Sequence, residues 1–285
     1  MSDESSVSEH AAKLSQFISE LWQQGIVDLM PMNPQFRGVS FTSVCEWLDL
    51  AKSIMSVKTN TTAYDASGAW FMCGPAMEYA DRRDKFLDEA TLRISRFTFL
   101  WSALECFLKN LGDEFPEVPK KIRKKSSLVE RAVYYIKINE TDELRKLCGH
   151  CYDRELAALA REFMLSDSSE KAIENMLSPD EFKSSLAIGL NVVRMARNSL
   201  AHGTHEIPED EEYGGSCNED YFNFLDSICS SVLFSMQIIL IIYLGRKGEV
   251  TYIDYQNDEV EFPVIKALAA LHGDKLSCLQ DDFGF

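Results

Sequence analysis

Apolar residues recur at helical spacing along most of this chain, and start and stop residues punctuate the pattern. Ser8 to Gln24 predicts a first amphipathic helix, ended by Gly25. Met30 to Gly38, with its prolines and asparagine, reads as a loop, and Thr42 to Met55 as a second helix. The polar run Thr59 to Gly68 predicts a linker, with a boundary near residues 60 to 80. Ala90 to Leu111 is long and periodic and is stopped by Gly112 and Pro116. Ser127 and Glu130 have the spacing of a capping box and open the next helix. Asp142 to Leu165 follows, with Gly149 inside it. Ser178-Pro179-Asp180-Glu181 combines an N-cap serine, proline at the first helical position and glutamate at the third. It predicts a helix to about Ala201, stopped by Gly203. Ser216 and Glu219 cap a final long helix that ends at Gly245. Glu249 to Phe262, with Asn257-Asp258 inside it, predicts a small hairpin.

Helices joined by short connections predict an all-α protein built as an antiparallel bundle. The bundle is expected over residues 81–245, with a helical N-terminal extension over 1–80 and a C-terminal tail over 246–285. No internal repeat or heptad run is present. The most apolar stretch, Val232 to Leu244, contains Ser235 and Gln237 and falls short of the roughly 20 residues a membrane span needs. It is expected as a buried helix, with no membrane partner.

Composition narrows the setting. The 285 residues suffice for a substantial core without staples. The net charge of −16 argues against indiscriminate coating of nucleic acid but leaves room for a local basic patch. The densest is Lys120, Lys121, Arg123, Lys124 and Lys125. Glu206 to Asp220 is its opposite, with seven carboxylates and no cation. Met1 to His10 is polar and acidic, unlike a secretory signal, so the eight cysteines read as reduced core residues of a cytoplasmic protein. Cys148-Gly149-His150-Cys151 has disulfide-exchange spacing but lies in a helical pattern. A zinc set completed by His202 and His205 lacks a second cysteine pair. No metal or other cofactor is expected.

The stretch that carries chemistry is Arg197-Asn198-Ser199-Leu200-Ala201-His202-Gly203. At about 100° per residue, Phe182, Leu186, Leu190, Val193 and Leu200 share one arc of the helix. Lys183, Asn191, Arg194 and Asn198 lie opposite. Arg197 falls at the edge of the apolar arc, where a guanidinium must be paired or must face a cleft or a second subunit. Five residues of unbroken helix would separate Arg197 from His202 around the axis, so unwinding at Ala201 to Gly203 is expected to turn His202 back. A simple helix end explains His202 and Gly203 but not Arg197.

This stretch resembles the Arg-x4–6-His motif of the HEPN superfamily, with Asn198 as the polar residue after the arginine. The resemblance extends over about residues 85 to 245. It includes Phe99 to Lys109, similar to the glutamate-containing first helix of those domains, with Glu105 and Lys109 four residues apart. It implies a helical bundle, metal-independent endoribonuclease activity on cellular RNA, tRNA among the candidate substrates, and a homodimer sharing one site. It also implies a toxin or anti-phage defence role, with an antitoxin or regulatory partner. Its catalytic residues would be Arg197, Asn198 and His202. Glu105 and Lys109 would support them, Glu105 by orienting the arginine; the same pair also reads as a surface ion pair. The basic run Lys120 to Lys125 would bind RNA, or is a solvated loop. A non-catalytic HEPN module that binds nucleotide or protein is the alternative.

The residue types suit the chemistry. Attack of a ribose 2′-hydroxyl on its own phosphate needs a base, an acid, and positive charge at the phosphate. Histidine transfers protons near neutrality, and arginine matches phosphate oxygens with two parallel donors. One motif supplies one histidine, so a two-fold dimer is expected to bring the second.

Overall fold

The computed structural model describes residues 4–26, 41–60, 74–112, 115, 126–148, 186–203, 205, 207, 208, 216–246, 251–254, 260–263 and 271. Its helices are α1 (Glu4–Gln23), α2 (Phe41–Ser53), α3 (Gly74–Asn110), α4 (Leu128–Asn139), α5 (Asp142–Cys148), α6 (Ile188–Ala201) and α7 (Ser216–Gly245). Strands β1 (Thr251–Asp254) and β2 (Val260–Pro263) pair antiparallel, with Tyr252 opposite Phe262. The architecture is all-α with this hairpin as its appendage.

The core is one continuous cluster running from Val7 to Leu244. α7 is its centre: every residue from Ser231 to Ile242 is buried. By length and composition α7 could cross a membrane, yet most of it is covered by the other helices. Two of its buried polar residues find partners there. Ser235 Oγ donates to Ser231 O at 2.6 Å, and Gln237 Oε1 lies 3.2 Å from His10 Nε2 on α1. α1 packs on α2 and α7, and α2 packs on α3. The N-terminal helices therefore share the bundle's core. Trp47 stacks on Phe99 at 6.0 Å, and Phe41 meets Phe107 edge-on at 6.2 Å.

α3 and α7 run side by side, joined by a buried ionic seam. Arg93 Nε donates to Asp226 Oδ2 at 3.2 Å and its Nη1 to Glu89 Oε2 at 2.5 Å, while its guanidinium lies over the Phe222 ring at 4.6 Å. On the other flank α4 and α6 pack against α7 and each other. The capping box of α4 forms as the spacing predicts. Ser127 Oγ accepts from Glu130 N at 3.2 Å, and Glu130 Oε2 accepts from Ser127 N at 3.0 Å. The second oxygen of Glu130 reaches Arg194 on α6 at 3.5 Å, so one carboxylate caps α4 and ties it to α6.

Two element boundaries differ from the sequence expectation. α3 begins at Gly74, sixteen residues before the expected Ala90. Its first turns, Glu78 to Glu89, turn mainly charged side chains to solvent and bury Phe86, so apolar periodicity is too sparse there to register. α6 begins at Ile188 and not at the Ser178 signal, which lies outside the described residues. Its N-cap is Ala187, in helical conformation without a side-chain cap. The continuation of α5 toward Leu165 also lies outside them, as does Thr61 to Gly68 of the expected linker. At that linker's start, Thr59 N and Oγ1 both donate to Asp88 Oδ1, fixing the chain to α3.

Candidate functional site at the end of helix α6

α6 buries Ile188, Leu190, Val192, Val193 and Ala196 against α7. That fixes the direction of its other faces. Arg194 points toward α4, where it donates to Glu130 at 3.5 Å, and it also donates to Asn191 Oδ1 of its own helix at 2.9 Å. Arg197, half-buried at the edge of the apolar arc, lies over α3: its Cζ is 5.7 Å from the centroid of the Trp101 ring. Asn198 and His202 are exposed.

The helix end corrects one expectation. Ala201 is still helical, and His202 N donates to Asn198 O at 3.0 Å, with φ −94° and ψ 1°. Only at Gly203, with φ +65°, does the chain turn away. Glycine accepts this left-handed conformation without strain, so the last helical turn closes completely before the reversal. His202 therefore keeps helical register. It leaves the axis about 140° from Arg197 and about 7.5 Å further along. In that register the two side chains leave the helix on different faces of one chain.

Glu105 is found beside the arginine's platform. Its Oε1 accepts from Trp101 Nε1 at 2.8 Å. The expected ion pair with Lys109 is not formed among the described residues; Lys109 is half-buried near the end of α3. Glu105, Trp101 and Arg197 thus form a row, carboxylate to indole to guanidinium. The basic run Lys120, Lys121, Arg123, Lys124 and Lys125 lies outside the described residues. So does most of Glu206 to Asp220, although Glu219 and Asp220 are exposed near the start of α7.

The commitments of the arginines differ. Arg93 is spent on two carboxylates, Arg194 on an amide and a carboxylate, and Arg131 on the carbonyls of Gly112 and Phe115. Among the described residues no oxygen accepts from Arg197. Among those residues its partner is the Trp101 face, a contact that uses no N–H of the guanidinium.

The chain beyond Gly203 is pinned by groups that sequence reading missed. His205 Nε2 lies 2.8 Å from the Tyr221 hydroxyl, and its ring stacks on Tyr221 and Phe224. Burial lowers the pKa of His205 and raises that of Tyr221. Three residues on, Pro208 O accepts from Arg83 of α3. The signal for this anchor was the aromatic run Tyr221, Phe222 and Phe224 at the start of α7. Trp101 had a weaker signal, since its indole reads as ordinary core in an apolar helix. The arrangement offers an exposed imidazole, an exposed amide and an arginine with open donors along one helix end. Those groups can bind a phosphate and move a proton. No family model matches this sequence, and no curated protein or solved structure is significantly similar to it.

Proposed function

We propose that the chain is a metal-independent endoribonuclease of the HEPN type, acting as a homodimer in a toxin or anti-phage defence setting. The observation that carries the reading is the guanidinium of Arg197, which among the described residues meets an aromatic face and no oxygen, on a helix end that also carries an exposed histidine. A purely structural arginine in this bundle finds oxygen acceptors, as Arg93 and Arg194 do.

In the proposed reaction the 2′-oxygen bonds to phosphorus and the bond from phosphorus to the 5′-oxygen breaks. One His202 takes the proton of the 2′-hydroxyl, and a second His202 gives a proton to the leaving 5′-oxygen. Arg197 offsets the charge that builds on the non-bridging oxygens, and Asn198 orients phosphate or imidazole. The products are a 2′,3′-cyclic phosphate and a 5′-hydroxyl. The divergence of Arg197 and His202 within one protomer favours a site built across a two-fold axis, where each chain supplies what the other turns away.

The test is incubation of the purified protein with total RNA and with tRNA in EDTA, followed by end-group analysis. Cleavage with cyclic phosphate ends is expected, with His202→Ala and Arg197→Ala each slower by about 10²–10³ at unchanged helicity. A strict Mg²⁺ or Mn²⁺ requirement, or wild-type cleavage by either variant, refutes the assignment. The same divergence also suits a second reading, a non-catalytic module that binds nucleotide through Arg197. Binding without cleavage in this assay selects it.

A further inference from the structure

Trp101 is buried, with 8% of its surface exposed, and sits where α3 passes beneath Arg197. Three contacts fix its plane. Phe97 packs against the ring at 6.5 Å, Arg197 covers a face, and the indole N–H donates to Glu105 Oε1 at 2.8 Å. A buried indole N–H needs such an acceptor. Thr98 and Ser102, nearby on α3, spend their hydroxyls on the carbonyls of Ile94 and Thr98. The Glu105 carboxylate is thus the acceptor that locks the ring.

A guanidinium over an aromatic face is held in direction while its N–H edges stay available. A guanidinium in a fork with a carboxylate has those edges filled. The row therefore does something a direct ion pair between Glu105 and Arg197 would not: it orients the arginine without consuming its donors. We propose that Trp101 is the positioning residue for Arg197, and that Glu105 acts on the arginine through the indole. The catalytic consequence rests on the nuclease reading above; the structural coupling does not.

The two ideas separate by the choice of variants. Glu105→Gln keeps an oxygen for the indole N–H and removes the charge, whereas Glu105→Ala removes both. Action through the indole predicts kcat within about twofold of wild type for E105Q and about tenfold lower for E105A. Trp101→Phe keeps a face without its lock and should fall between wild type and Trp101→Leu. W101L should lose about 10²-fold in kcat, the usual consequence of misplacing a charged group by about an ångström, with KM changed far less. A direct ion pair predicts that E105Q fails like E105A, and that result overturns the proposal. Glu105 is half-exposed, so its two variants remain interpretable even if W101L folds poorly.

A second measurement needs no activity. The Arg197 side-chain N–H resonance, assigned by its loss in Arg197→Lys, should carry a ring-current shift in wild type and E105Q. That shift should shrink in E105A and W101F. If wild type cleaves no RNA but this pattern holds, the nuclease reading falls and the platform stands. If wild type cleaves and E105A keeps full kcat and an unaltered Arg197 resonance, the platform falls and the nuclease reading stands.

Discussion

Acidification should destabilise this protein through His10 before most carboxylates respond. The ring is buried between α1 and α7, with Nε2 3.2 Å from Gln237 Oε1. Burial holds its pKa down at about 4, against an ordinary 6.5; the hydrogen bond to Gln237 opposes that shift only in part. At pH 7 the imidazole is neutral whether the chain is folded or not, so it costs nothing. As pH falls below 6.5 the unfolded chain takes up a proton that the folded one refuses, and stability declines until the folded ring also titrates near 4. At about 1.4 kcal/mol per pH unit, the full loss is about 3 kcal/mol, of which about 2 kcal/mol is gone by pH 5. A domain with about 5–15 kcal/mol in hand feels that strongly. The assay is urea unfolding at pH 7, 6 and 5, in wild type and in His10→Gln, which keeps a donor for Gln237 and cannot titrate. The variant should lose about 2 kcal/mol less than wild type between pH 7 and pH 5. His205, also held down by burial, adds to the decline in both proteins and cancels in the comparison. Equal slopes for the two proteins would show that the buried ring titrates normally and would refute the reasoning.

Asp226→Ala should destabilise the fold by about 3 kcal/mol in the same assay, because it strips a buried partner from Arg93; adding Arg93→Met should recover part of that loss. Gly203→Ala should cost about 1 kcal/mol, since φ is +65° but a Cβ there meets no atom within 4 Å; Gly203→Asn should cost less. Replacing Lys121, Lys124 and Lys125 with Ala should weaken RNA binding and flatten its dependence on log salt by about 0.7 for each phosphate that is no longer neutralised. An unchanged slope would return that run to a solvated loop.

Much of the scaffold is legible in the sequence because caps and periodicity agree. Ser127 with Glu130 specifies the start of α4, and the expected start near Ser216 and end at Gly245 agree with α7 within a residue. The first turns of α3 escape because a helix that buries little besides Phe86 leaves almost no periodic trace, although Gly74-Pro75 is a start signal of the kind proline gives at a first turn. At the site, helical phase alone identifies Arg197 as anomalous on its arc. Its partner could not be read, because Trp101 lies far away in the chain and only the packing of α6 on α7 aims the arginine at it. The angle to His202 is set locally and is not legible in the spacing: a glycine one residue past the histidine lets the helix finish before the chain reverses.

The centrality of α7 bears on how the chain must be made. During synthesis the N-terminal parts of a chain emerge first and begin to collapse before the rest exists. Here the wall that α1, α3, α4 and α6 share is among the last helices to leave the ribosome. Until it arrives His10 has no Gln237, Arg93 has no Asp226, and those four helices lack the cover that α7 gives their apolar faces. A nascent chain stalled before Ser216 should therefore depend on chaperones, while one released after Gly245 can close at once around a strand of sequence apolar enough to be mistaken for a membrane segment.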